Sequence, residues 1–119
     1  LEYAESFWSD REIVLEAVKQ NGEALRFGDK TFKSDRDLVL EAIKSEGAFF
    51  VMDECDRKFK SDREVVLAVV KQDGCLLSYA DESLWSDREV VLAAVKSNKK
   101  ALRYVDEKLI KKLKEQGQL

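Results

Sequence analysis

An all-α fold of tandem helix pairs, stacked as an α-solenoid or a compact helical bundle, is what this sequence predicts, and three observations predict it. The tripeptide Ser-Asp-Arg begins at Ser9, Ser34, Ser61 and Ser86, at spacings of 25, 27 and 25 residues. Each tripeptide opens an apolar run of helical periodicity, with acidic residues at its start and a lysine at its end. A lone unit of about 25 residues cannot bury its apolar faces, so the units must stack around a continuous core.

The elements follow in order. Residues 1–8, LEYAESFW, resemble the end of the third unit, LSYADESLW, and read as the second half of an incomplete repeat. Repeats then occupy 9–33, 34–60, 61–85 and 86–110, and residues 1–119 read as a single helical-repeat domain. Ser9 with Glu12, Ser34 with Asp37, Ser61 with Glu64 and Ser86 with Glu89 have capping-box spacing, which makes each serine the expected N-cap. Lys19, Lys44, Lys71 and Lys96 suit the negative end of the helix dipole, and Gly22, Gly47 and Gly74 are expected to stop the helix in the left-handed region. The fourth repeat has Asn98 and Lys99 there, a weaker stop.

On a helical wheel Ile13, Val14, Leu15, Ala17 and Val18 share a broad apolar arc, the mark of a helix with neighbours on two sides. The short stretches after each stop, such as Ala24 to Phe27 and Leu76 to Ala80, predict a second, shorter helix, and Phe32, Phe59 and Leu84 predict an apolar anchor in the closing turn. Val65 to Val70 has strand propensity, but its flanking cap and stop favour helix. Residues 107–119 predict a C-terminal capping helix with Leu109, Ile110 and Leu113 on one narrow face. Trp8 and Trp85, just before their serines, are placed to staple onto Ile13 and Val90.

Composition then narrows function. The 119 residues contain no His, which removes imidazole catalysis and His-ligated zinc. With 21 basic and 24 acidic residues the net charge is −3, so no global field draws nucleic acid or anionic lipid. The longest apolar runs, Val65 to Val70 and Val90 to Val95, are far shorter than the roughly 20 residues that span a bilayer. Cys55 and Cys75 form no Cys-x-x-Cys pair and fit a reducing compartment, hence the cytoplasm. The sequence opens without Met or a secretory signal and reads as excised from something longer.

The recurring SDREVVLAAVK, followed after a short gap by ALRYV or LLSYA, resembles the repeat of the domain-of-unknown-function family numbered forty-one sixteen, over nearly the whole chain. The resemblance implies a tandem helical module that accompanies other segments in larger proteins of protists and intracellular bacteria, with no catalytic residue to carry over. If the parent is a secreted bacterial effector, the compartment becomes the host cytosol. The missing glycine in the fourth repeat and the longer second repeat depart from the family pattern.

Arg11, Arg36, Arg63 and Arg88 are the most suggestive polar residues, since the wheel sets each near the apolar arc, where its head needs an acceptor. Two readings stay open. The arginines form junctions, paired with carboxylates such as Asp29, Asp56, Asp81 and Asp106, or they form a ladder that grips phosphates or acidic peptides. Asp53, Glu54, Cys55 and Asp56, the inserted segment of the second repeat, lack the spacing and glycine of a calcium loop and read as a solvated loop. No catalytic, cofactor-binding or metal-ligating set emerges, and no cofactor or small-molecule substrate is expected. The expected function is a non-catalytic scaffold that binds another protein or another domain of its parent chain. The alternative is phosphate, acidic-peptide or nucleic-acid binding through the Arg and Lys rows, with nucleic acid disfavoured by the net charge.

Overall fold

The computed structural model describes residues 9–119; the partial repeat expected at 1–8 and the staple expected from Trp8 lie outside the described residues. In chain order the helices are α1 (Arg11–Gln20), 3-10 turns at Gly22–Phe27 and Lys30–Ser34, α2 (Arg36–Lys44), α3 (Ala48–Glu54), a 3-10 turn at Arg57–Lys60 and α4 (Arg63–Gln72). Turns at Gly74–Tyr79 and Glu82–Leu84 follow, then α5 (Arg88–Ser97), a turn at Lys99–Tyr104 and α6 (Glu107–Glu115). The class is all-α, and the β-prone Val65 to Val70 lies inside α4. A long helix follows each Ser-Asp-Arg tripeptide; the second helix of the pair is a true α-helix in the second repeat alone, where the inserted residues lengthen it, and a 3-10 helix in the others.

The chain divides into two compact units, Leu1–Asp56 and Arg57–Leu119. The first carries α1, α2 and α3, the second α4, α5 and α6. Ser9 and Ser61, and likewise Ser34 and Ser86, are 52 residues apart, so each position in α1 and α2 has a counterpart in α4 and α5. Val14, Val18, Leu38, Val39, Ala42 and Ile43 are fully buried in the first unit, as are Val66, Val70, Val90, Val91 and Ala94 in the second. The closing anchors Phe59 and Leu84 are buried and Phe32 half-buried. No polar or charged side chain is buried among the described residues.

The helix starts correct the sequence reading. The N-caps are Asp10, Asp35, Asp62 and Asp87, one residue beyond the expected serines. Asp10 accepts from the backbone N–H groups of Glu12 and Ile13, Asp62 from those of Glu64 and Val65, Asp35 from Leu38 and Asp87 from Val90. A carboxylate supplies both the acceptor and the negative charge that the helix N-terminus favours, so it displaces the hydroxyl. The serine is drawn to the closing turn of its own repeat, in which Ser34 Oγ donates to Asp56 at 2.9 Å and Ser61 Oγ to Asp81 at 3.4 Å.

The helix stops are corrected as well. Gly22, Gly47 and Gly74 do not have positive φ. Gly22 and Gly74 are required by space: a Cβ on Gly22 would lie 2.2 Å from the Ala42 carbonyl oxygen, and one on Gly74 1.9 Å from that of Ala94. Here the start of one repeat's second element presses on the end of the next repeat's long helix. Ser45 Oγ donates to the Lys19 carbonyl, and the Gly74 N–H donates to Ser97 Oγ, each at 3.0 Å. Lys99, which follows Asn98 as Gly74 follows Asp73, needs no such clearance and is exposed. The left-handed residue that ends α2 is Glu46, at φ 64°, with the Gly47 N–H donating to Ala42 and the Glu46 N–H to Ile43. That is the Schellman pattern, set one residue before the glycine expected to provide it.

Candidate functional site

The four arginines occupy the first residue of α1, α2, α4 and α5. From there Arg11 Nε reaches Asp35 at 2.8 Å, and Arg63 Nε reaches Asp87 at 2.7 Å. The acceptor is thus the N-cap carboxylate of the following repeat, and the suggested loop acids serve elsewhere. Asp29, Asp81 and Asp106 cap the turns or helix that follow them through the N–H groups of Thr31, Ser83 and Lys108, and Asp56 holds Ser34. Arg63 has a second carboxylate in Glu89 at 2.5 Å, whereas the shorter Asp37 lies 3.9 Å from Arg11. Arg88 donates instead to the Gln118 side chain, and Arg36 sits exposed at the head of α2.

These pairs lie at the surface, with Arg11 and Arg63 45% and 48% exposed. The Arg11 and Arg63 hydrogen bonds hold the carboxyls of Asp35 and Asp87 below the usual aspartate range, and the guanidinium values rise correspondingly. The inserted segment of the second repeat is structured: Asp53 and Glu54 belong to α3, Glu54 pairs with Arg26 at 3.1 Å, and that guanidinium also covers the Phe50 ring. Burial pushes the Cys55 thiol up to about 12, which disables it as a nucleophile at neutral pH. No cluster of three or more Cys, Asp or Glu side chains suited to a metal ion occurs among the described residues. Trp85 donates its indole N–H to the Leu77 carbonyl at 2.8 Å and lies against Tyr104.

The concave features are clefts beside the long helices. In the first unit a cleft of about 340 Å³ lies over Leu15 and Leu40, and its rim alternates in charge: Lys19 pairs with Glu16 at 3.6 Å, Lys44 with Glu41 at 3.7 Å. The corresponding cleft of the second unit reaches about 1080 Å³, floored by Leu92, Ala93, Val95 and Leu102. Lys71, Lys96, Lys99 and Lys114 stand around it, with Glu89 as its one acidic side chain. Sequence reasoning found the lysines as helix-end charges and as rows offered for the alternative binding function, without the cleft between them. The signal for the cleft was present, since Glu16 and Glu41 of the first unit become Ala68 and Ala93 in the second.

Paired long helices joined by short capped turns, repeated at a fixed interval and tied by arginine–carboxylate bonds, define a tandem helical-repeat protein. The chain belongs to the family described as a domain of unknown function, DUF4116, which matches residues 1–33, 10–60 and 62–110. The two longer matches each span two repeats, and their boundary falls near that of the two compact units. No curated protein and no solved structure matches the chain.

Proposed function

We propose that this chain is a non-catalytic helical-repeat scaffold that binds another protein, or another domain of its parent chain. The supporting observation is how the polar groups are distributed. Arg11 and Arg63 bind the aspartates that cap the following repeats' long helices, while the apolar clefts beside the long helices stay open to solvent. A site for chemistry would concentrate perturbed groups in a cleft. Here the displaced carboxyls of Asp35 and Asp87 are explained by their arginines, and the displaced thiol of Cys55 by burial. Arg11 and Arg63 act in this reading as rungs between repeats, not as a ladder for ligands. No described helix is long and apolar enough to cross a membrane.

The test is photocrosslinking in cells, with a photoreactive residue placed in turn at Lys19 and Lys44 beside the first cleft and at Leu119, which lines the second. A discrete protein adduct at one or more of these positions is the expected result. Adducts to nucleic acid alone, or turnover of a metabolite by the purified chain, would overturn the scaffold reading.

A further inference from the structure

The structure assigns the large cleft of the second unit a particular kind of occupant: we propose that it docks an acidic amphipathic helix, a deepening that rests on the scaffold reading above. The partner sets apolar residues on Leu92, Ala93 and Leu102 and carboxylates against the lysine rim.

The charge balance is the first argument. The chain is net negative, yet four lysines from α4, α5, the Lys99–Tyr104 turn and α6 stand around one apolar floor. None of these four has an ion-pair partner among the described residues, and the cleft's one acidic side chain, Glu89, is already bound by Arg63 at 2.5 Å. The surface is therefore complementary to negative charge, while its floor needs an apolar cover.

The second argument is the first unit, which repeats the pair of long helices beside the cleft without this property. Lys19 and Lys44 are neutralised three residues upstream by Glu16 and Glu41. Their counterparts Lys71 and Lys96 have Ala68 and Ala93 at those places, and Ala93 itself lines the cleft. Two glutamate-to-alanine differences thus release two lysines, and one of them also adds a small apolar residue to the floor.

The rim also selects among anionic ligands. Its positive charges come from four separate elements, so carboxylates must be presented at several points around an apolar strip. A helix with leucines at i, i+3 or i+4 and i+7 and acids on its flanks does this, whereas a single-headed anionic lipid places its charge at one end. Nucleic acid would call for bases to stack on aromatic rings, and no aromatic residue lines the cleft among the described residues.

The experiment titrates the full chain with a synthetic helix of about 16 residues carrying that leucine and glutamate pattern, followed by amide chemical shifts and by fluorescence anisotropy. Shifts are expected in α5, the Lys99–Tyr104 turn and α6. The double variant Ala68→Glu/Ala93→Glu, which rebuilds the first unit's pairs, should weaken binding by roughly tenfold or more, as should replacing the peptide glutamates by glutamine. Lys71→Gln/Lys96→Gln gives the same reading if the glutamate variant alters the thermal melt. Absence of binding up to about 1 mM peptide, equal binding by the glutamine peptide, or indifference to both double variants would each overturn the groove assignment. So would stronger perturbation of the same amides by laurate micelles or a single-stranded oligonucleotide. If crosslinking captures a protein only at Lys19 or Lys44, the scaffold reading stands and this groove falls; if the peptide binds here while cells yield only nucleic-acid adducts, the reverse holds.

Discussion

The two units of this chain repeat one plan 52 residues apart and differ in what they leave exposed. In the first, lysines along the long helices are held by glutamates of the same helix, and the cleft beside them is small. In the second, alanines replace those glutamates, the arginine gains a second carboxylate, and the cleft is about three times larger. The tripeptide, the aspartate caps and the glycine contact between repeats are common to both. The glutamate-to-alanine differences lie on outward positions that folding does not constrain, and the larger cleft is also walled by Lys114, Gln118 and Leu119, at and after α6. A repeat fold separates these two demands, because each inward position is fixed by its neighbour while outward positions vary from unit to unit.

The largest expected effect tests the shared part of that comparison. Gly74→Ala puts a methyl group 1.9 Å from the Ala94 carbonyl oxygen and 2.8 Å from its carbon, and a backbone carbonyl at a helix end cannot swing aside as a side chain can. A loss of about 3 kcal/mol or more is expected. Gly22→Ala, at 2.2 Å from Ala42, should behave alike, whereas Lys99→Ala at the corresponding place of the fourth repeat should change stability by under about 0.5 kcal/mol. Urea denaturation of the three variants measures this. If Gly74→Ala unfolds at the midpoint of the parent chain, the close approach between repeats is wrong.

A smaller effect probes the arginine junctions, where the units differ in degree. Asp87 both caps α5 and receives Arg63, so its two roles can be separated by substitution. Asn still caps a helix but carries no charge; Asp87→Asn should cost about 1 kcal/mol or less because Arg63 is about half exposed and the pair is screened by solvent, and Asp87→Ala about 1 to 2 kcal/mol because the cap is lost too. The pH dependence has a definite sign. The folded-state value of Asp87 is depressed by Arg63, so the pair's contribution is complete above the ordinary carboxylate range near 4 and is lost as pH falls through the lower folded value. Thermal melts of the parent and Asp87→Asn should therefore differ at pH 7 and converge at about pH 2. Asp35→Asn should show the same convergence with a smaller gap, since Arg11 has one close acid where Arg63 has two. A gap that persists unchanged in acid would remove the ion pair as its cause.

Much of the fold was legible because the repeat states it four times: the position of every long helix, the short second element, the closing anchors and the buried Leu113 of α6 all follow from periodicity. The errors concern residues with two possible reasons for being present. Serine and aspartate both cap helices, and only the pull of Asp56 on Ser34 and of Asp81 on Ser61 shows why aspartate takes the cap. Glycine is used both for positive φ and for the absence of a Cβ; Gly22 and Gly74 are cases of the second, which depends on a neighbour that sequence does not place. For Arg11 and Arg63 the acid partners are Asp35 and Asp87, adjacent in sequence to the next arginine and already assigned to a helix start, so the sequence reading suggested the loop acids instead. The candidate groove was legible only by comparing repeats with one another, at Glu16 against Ala68 and Glu41 against Ala93.

The smallest expected effect concerns how helices end in the two units. α2 and α6 both close in a Schellman turn: the Gly47 N–H donates to Ala42 and the Glu46 N–H to Ile43 in one, the Gln118 N–H to Leu113 and the Gly117 N–H to Lys114 in the other. The left-handed position is Gly117 in α6, at φ 72°, but Glu46 in α2, at φ 64°. A residue with a Cβ is disfavoured there by crowding against the following carbonyl, and glycine is not. Against this, glycine has more freedom to lose on folding, so the net gain from Glu46→Gly is about 0.5 to 1 kcal/mol of added stability. Gly117→Ala should lose a similar amount through the same strain, even though a Cβ at that position meets no neighbouring atom within 4 Å. Urea midpoints of the two variants should therefore move in opposite directions from the parent. If Glu46→Gly destabilises the chain, Glu46 is held by something stronger than its backbone strain, and the two helix ends are not equivalent.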